Sequence, residues 1–73
     1  MNQHPSHHAL GYLSQGEAVV AVQLALRRRG FLLAPDGRFG PMTREAVKTF
    51  RHQQRLPAGD TVDEAAWAAL SAP

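Results

Sequence analysis

Apolar residues recur at helical spacing in three stretches of this sequence, with the full i, i+3, i+4 and i+7 pattern in the second. The first covers residues 17–29 and is apolar on most sides, because Gln23 is the only polar residue between positions 18 and 26. The second runs from residue 41 to 54 or 55, and the third from 64 to 71. The pattern predicts an all-α fold in which three short helices form a compact bundle.

Turn and capping residues mark where each helix begins. Residues 14–17 have the Ser-x-x-Glu spacing of a capping box, with Gly16 as a competing N-cap. Gly40-Pro41 is a helix start, because glycine can cap and proline suits the first helical position. The third helix is capped either by Asp63 or by Thr61 through a Thr-x-x-Glu box. These signals agree with the apolar periodicity.

Two of the three helices belong to a repeated unit of turn, apolar plug and helix. At an offset of 23 positions the matching apolar residues are Phe39 and Val62, Ala46 and Ala69, and Val47 and Leu70. The repeat is imperfect, because Asp36-Gly37 in the first unit faces Gly59-Asp60 in the second. The sequence therefore predicts two similar loop–helix units that share a core with the first helix.

Two residues in these helices admit more than one interpretation. Gln23 lies beside the apolar stripe of the first helix, and because a buried amide needs partners, we expect it to bind loop backbone. Direct contact with a ligand is the alternative for Gln23. Trp67, the only tryptophan, is expected to be a main core residue with Phe39 and Phe50. A platform on which a sugar stacks is the alternative for its ring.

Composition and charge narrow the functional classes. With 73 residues the chain is one small domain, and without cysteine it has neither disulfides nor a thiol nucleophile. No apolar run approaches the ~20 residues of a membrane span, and a net charge of +2 is small for a nucleic-acid binder. The arginines at 27–29 are expected to be solvated and to match the helix dipole.

The second helix carries a column of cations at i, i+4, i+7 and i+11, which lies on the flank of its apolar face. Its members are Arg44, Lys48, Arg51 and Arg55. The column is either a solvated basic face or an edge that faces carboxylates or phosphates.

The first eleven residues differ from the rest. Residues 1–11 are polar and are predicted to form a flexible tail, whereas residues 12–71 form the domain. The tail contains His4, His7 and His8, which suggest at most a weak metal-binding tract without fixed geometry, so we predict no metal site. It lacks the basic region and apolar core of a secretory signal. A role in the cell envelope would need another export route or a longer protein.

The glycines and apolar residues occur in blocks of fixed spacing. The first block comprises Gly16, Val19, Val22, Gln23, Leu26 and Gly30-Phe31. The second comprises Asp36-Gly37, Phe39-Gly40, Thr43, Ala46-Val47 and Phe50, and the last Val62, Trp67 and Leu70. Over about residues 13–70, these blocks resemble the peptidoglycan-binding domain family of bacterial and phage cell-wall hydrolases.

The sequence departs from this family at the end of the second helix and in the second loop. Arg51 stands where the family usually has glutamine, and Arg55 where it usually has glycine. The second loop lacks the usual Asp-Gly pair, and Asp63 replaces a glycine. Because the first loop keeps the family pattern, it is the better candidate for binding a ligand.

The resemblance implies a non-catalytic three-helix module that binds peptidoglycan, through its glycan and stem peptide, and so anchors an attached or partner hydrolase on the wall. We expect a shallow groove at the first loop and the start of the second helix. The residues expected to line it are Asp36, Arg38, Gly40, Thr43 and Arg44. No catalytic residue or cofactor is expected, because the serines lie at caps or the terminus and the acids at turns and helix starts.

Two other functions stay open. The same fold can serve as a protein-interaction or autoinhibitory module, which would bind a partner protein and ignore purified cell walls. A nucleic-acid binder using residues 27–29 and the basic column would show steep salt dependence. The modest charge makes this the weaker alternative, so we expect neither a nucleic-acid nor a membrane partner.

Overall fold

The computed structural model describes residues 9–72 and consists of three helices: α1 (Glu17–Arg28), α2 (Pro41–Gln53) and α3 (Glu64–Ser71). The predicted all-α fold is confirmed, and the helix bounds agree with the predicted ones to within two residues. In the described part of the chain, β-pairing is limited to two isolated bridges. None of the three helices is long and apolar enough to cross a membrane.

The start of α1 differs from the prediction. Gly16 is the N-cap and no side chain caps this end, so the predicted capping box does not form. The Ser14 hydroxyl instead accepts a hydrogen bond from the Gly11 N–H at 3.1 Å, and the Ser14 N–H returns one to the Gly11 carbonyl at 2.9 Å. Ser14 lies two residues before the N-cap, so it closes its own turn rather than capping the helix.

Helices α1 and α2 end in the same hydrogen-bond pattern. Gly30 has a φ of 95°, and the N–H of Phe31 reaches back to the Leu26 carbonyl at 3.1 Å, which is a Schellman motif. At the end of α2 the corresponding left-handed residue is Arg55, with a φ of 60°. The N–H of Leu56 donates to the Arg51 carbonyl at 2.9 Å. An arginine thus occupies a conformation that favours glycine.

A segment before α1 joins the two loops. Leu10 pairs with Val62 through backbone hydrogen bonds of 3.1 and 2.8 Å, and Gln15 pairs with Arg38 in the first loop. Leu10 also packs against the core. The domain therefore includes Leu10, which we assigned to the tail, because its backbone completes the edge of the second loop. The rest of that predicted tail, including the three histidines, lies almost entirely outside the described residues.

The core lies between the three helices and includes the apolar residues of both loops, Phe39 and Val62. Its fully buried members include Phe39 and Phe50, as predicted. Trp67 does not join them, because 40% of its surface stays exposed. Ala66 and Leu70, four residues apart, take the inward face of α3 instead, which turns Trp67 to the flank of the helix. The prediction of Trp67 as a main core residue was therefore wrong.

Arg29 connects the end of α1 to the end of α3. Its Nη2 donates hydrogen bonds to the carbonyls of Ala69 at 2.8 Å and Ala72 at 2.9 Å, and its guanidinium lies 5.3 Å from the ring centroid of Phe50. A cation at this position satisfies the last carbonyls of α3. Of the three arginines predicted to be solvated, this one has a structural role.

Candidate ligand-binding site at the first loop

Gln23 fixes the first loop from within the core. Its side chain is 1% exposed, and Nε2 donates to Asp36 Oδ1 at 3.1 Å, the Arg38 carbonyl at 2.9 Å and Thr43 Oγ1 at 3.0 Å. Its Oε1 accepts the buried N–H of Gly37 at 2.9 Å. The expectation that this amide binds loop backbone is confirmed. Its two amide N–H bonds are shared among three acceptors and the side chain is buried, so Gln23 has no donor left for a ligand.

Asp36 shapes the turn and stays charged. Its Oδ1 also accepts the backbone N–H of Arg38 at 2.9 Å, which makes an Asx-type turn. This bond, followed by the one from Gln23, lowers the pKa of the Asp36 carboxyl from its ordinary value. Asp36 is exposed, so an ionised carboxylate borders the loop at neutral pH.

Gly37 is a first-loop position at which a side chain would be strained. Its φ is 79°, and an added Cβ would lie 3.2 Å from Cγ2 of Val20 on α1. The loop therefore packs directly on α1, and the residues on either side of Gly37 turn outward to solvent.

The loop and the start of α2 enclose a shallow, open depression of about 180 Å³, which we call the first-loop pocket. Its lining residues are Leu33, Ala34, Asp36, Arg38, Gly40, Pro41, Met42 and Thr43. Four of the five residues expected at the site are thus brought together. Thr43 is buried and contributes to the floor, since its hydroxyl accepts the hydrogen bond from Gln23.

Arg44, the fifth expected residue, does not line the pocket. Its guanidinium lies 4.8 Å from the centroid of the Tyr12 ring, in a cation–π contact. One residue along the helix from Thr43, Arg44 is rotated by ~100° and so meets the segment before α1. This contact joins Arg44 to that segment.

The start of α2 gives the pocket a positive edge. Gly40 is its N-cap without any side-chain cap, and no acidic residue lies in the first turn. The first N–H groups of a helix have no partner within it, and its dipole favours negative charge there. The exposed side chain of Arg38 forms no ion pair or hydrogen bond with residues 9–72. The pocket therefore combines one carboxylate, one guanidinium and free backbone donors.

Comparison of the sequence with known protein families identifies the family of this chain. A sequence profile described as a putative peptidoglycan binding domain matches residues 15–70. The chain belongs to this family. No curated protein sequence matches it.

Several solved structures are similar to this chain over most of its length. A peptidoglycan-binding protein from Clostridioides difficile, crystallised with glutamine hydroxamate, is 28% identical over 89% of this chain, with a TM-score of 0.86. The SleB N-terminal domain is 26% identical over 88%, with a TM-score of 0.84. The Burkholderia AP3 phage endolysin is 31% identical over 89%, with a TM-score of 0.85. The chain spans 41%, 89% and 25% of these proteins, respectively.

In this member of the peptidoglycan-binding family, Arg51 does for the second loop what Gln23 does for the first. It is buried, its Nε donates to the Pro57 carbonyl at 3.0 Å, and its Nη1 donates to the Thr61 carbonyl at 3.0 Å and to Asp63 Oδ1 at 3.1 Å. Neither interpretation of the basic column holds for Arg51, because it faces the protein.

Arg51 and Asp63, two departures from the family pattern, are thus direct partners. Asp63 caps α3 as predicted, with Oδ1 accepting the Ala66 N–H at 2.9 Å. This bond and then the one from Arg51 lower the pKa of the Asp63 carboxyl. The only sequence signal for this role of Arg51 is its place directly after the core residue Phe50. The helical spacing predicts Arg51 as a charge on the helix surface and not as a hydrogen-bond donor to the second loop.

Proposed function

We propose that this chain is a non-catalytic module that anchors a protein to bacterial cell-wall peptidoglycan through the first-loop pocket and the start of α2. The observation that carries the proposal is the Gln23 network. It holds Asp36, Arg38 and the N-terminus of α2 in one open pocket while leaving the guanidinium free. A site fixed in this way needs little reorganisation to bind.

The pocket's groups match the stem peptide of peptidoglycan. Free backbone N–H groups at the start of α2 and the Arg38 guanidinium suit a stem-peptide carboxylate. The Asp36 carboxylate suits an amide N–H, because it is exposed and its Oδ2 accepts no hydrogen bond from another residue between 9 and 72. Leu33 and Met42 add apolar contact beside these groups.

A tethering role for a separate catalytic unit fits the residues that are present. Within residues 9–72 no group of three histidine or acidic side chains could hold a metal ion, and a hydrolase needs such a site or a nucleophile with a base in reach. The chain matches a quarter of a phage endolysin, which leaves most of that protein for other domains. We therefore infer that an attached or partner hydrolase is what the module tethers.

Sedimentation with purified sacculi tests the proposal. The wild-type domain is expected to sediment, and Arg38→Ala to sediment several-fold less at equal helicity, because only the backbone of Arg38 takes part in the fold. Arg27→Ala removes an exposed arginine on α1 that does not line the pocket, and is the matched control. Equal sedimentation of Arg38→Ala and wild type would remove this site from consideration.

The alternative function, a protein-interaction or autoinhibitory module, is favoured by one observation. Met42 at the pocket is 65% exposed and Leu32 nearby in sequence is 87% exposed, so apolar surface borders the charged groups. Under this alternative the wild-type domain stays in the supernatant with sacculi. The mutation Met42→Ser would then weaken binding to the partner protein.

A further inference from the structure

A second concave surface lies between α1 and α3, away from the first loop. It is an apolar groove of about 220 Å³ lined by Leu10, Ala18, Ala21, Val62, Asp63 and Trp67, which we call the Trp67 groove. A second depression continues beyond Trp67 and Ala21 toward Arg28. No residue lines both the Trp67 groove and the first-loop pocket.

We propose that the Trp67 groove binds one uncharged sugar ring of the glycan strand. The inference rests on the proposed function and adds a second contact to it, so that the first-loop pocket takes the peptide and the Trp67 groove takes the glycan. Three features of the groove support it: an exposed indole over small side chains, unused polar groups at its edge, and its size and charge.

The indole of Trp67 is available to a ligand. Its surface is 40% exposed, and its Nε1–H donates to no residue between 9 and 72. Tryptophan N–H groups normally find a partner when they are buried, so this one has a donor to offer. Ala18 and Ala21 on α1 lie across the groove, and their short side chains leave room beside the indole. The electron-rich face of an aromatic ring attracts the C–H groups of a sugar, which carry partial positive charge.

Asp63 supplies the complementary acceptor. Its Oδ1 accepts from Arg51 and from the Ala66 N–H, which leaves Oδ2 without a hydrogen bond from another residue between 9 and 72. The side chain is 46% exposed and lines the groove. Sugar hydroxyls donate well to a carboxylate. Because this carboxylate is ion-paired with Arg51, it adds little net charge, and the groove favours a neutral ligand.

The Trp67 groove suits a short ligand better than a partner helix. Its apolar part measures about 220 Å³, and the depression that adjoins it at Trp67 and Ala21 is more polar, with Arg28 and Ser71 in its lining. A partner helix has a diameter of ~10–12 Å with its side chains and would be anchored by several apolar side chains along a longer groove. A single ring of an N-acetylated sugar fits the available space and chemistry.

A peptide-free probe, the β-1,4-linked trimer of N-acetylglucosamine, tests the inference by NMR titration. The Nε1–H resonance of Trp67 is unique in the spectrum, since the chain has one tryptophan. It is expected to shift and saturate with a Kd of about 1 mM, typical of a small contact. Ala21→Gln places a longer side chain in the groove while keeping the indole itself and is expected to weaken trimer binding at least tenfold.

Controls separate this inference from the proposed function. Ala65→Gln places the same new side chain at an exposed position of α3 and should bind the trimer like wild type. Arg38→Ala should also bind the trimer normally while losing affinity for sacculi. An unshifted indole resonance at about 10 mM trimer, or equal binding by Ala21→Gln, overturns the glycan assignment. Sedimentation of wild type with sacculi in that case would leave the anchoring function in place.

Discussion

Replacing Gln23 with methionine removes the hydrogen bonds that fix the first loop while keeping the length of the side chain. The N–H of Gly37 loses its only side-chain acceptor in a buried position, at a cost of about 1–3 kcal/mol. The Asp36 carboxylate and the Arg38 carbonyl are part-buried, so water replaces some of their lost bonds. We expect a total loss of about 3 kcal/mol in the free energy of unfolding.

This loss is large for a domain of this size. The core of a chain below ~80 residues supplies only about 3–5 kcal/mol. The variant should therefore keep only a small part of the free energy of unfolding of the wild type. At ~4–8 °C per kcal/mol for 60–100 residues, a loss of about 3 kcal/mol should lower the melting temperature by ~12–24 °C. Urea unfolding followed by circular dichroism measures the free energy, and a thermal scan measures the melting temperature.

Gln53→Met is the matched control for this experiment. Gln53 is an exposed residue of α2, and glutamine and methionine have similar helix propensities, so the stability should change by less than about 0.5 kcal/mol. If Gln23→Met were as stable as Gln53→Met, the amide would not be what holds the loop. Gln23 would then not preorganise the first-loop pocket.

Three further predictions concern the end of α2, the Arg51–Asp63 pair and the two carboxyls with lowered pKa values. Arg55→Gly should raise the free energy of unfolding in urea by about 1 kcal/mol, because it relieves a left-handed arginine; a loss of stability would contradict this. Arg51→Gln and Asp63→Asn should each destabilise the domain, and in a double-mutant cycle their effects should be non-additive, because the side chains are bonded at 3.1 Å. Additive effects would show that the pair is uncoupled. The carboxyls of Asp36 and Asp63 have lowered pKa values, so their stabilisation is present above the ordinary value of 3.8 and is lost as the pH falls through the lower folded-state pKa. An acid titration of wild type against Asp63→Asn should show less loss of stability for the variant.

The helices could be predicted because their signals are local. The start of α2 at Gly40-Pro41 and the end of α1 at Gly30 depend on backbone conformations that those residue types favour themselves. Gln23 was also predictable, since a polar residue within an apolar run must find a partner. Because Gln23 lies beside the core-facing stripe of the first helix, loop backbone was the expected partner of its amide.

The remaining features depend on tertiary contacts that sequence spacing does not encode. Arg51 shares a helical column with exposed cations, and only the path of the second loop over α2 turns it into a buried donor. Trp67 and Ala66 are neighbours in sequence, and the close packing of α3 decided which of them faces inward. Leu10 lies in a polar stretch, and its pairing with Val62 joins residues at opposite ends of the chain.

The hydrogen bonds of Arg29 to the end of α3 have a mechanical consequence. A domain that holds another protein on a solid surface is pulled at its ends, and a short terminal helix would be the first element to peel away. Arg29 bonds the last carbonyls of α3 from the end of α1, so tension applied after residue 72 passes into the interior instead of unravelling eight residues of helix. Resistance to pulling would therefore depend on one guanidinium, and Arg29→Met should unfold at lower force when the chain is stretched from its C-terminal side.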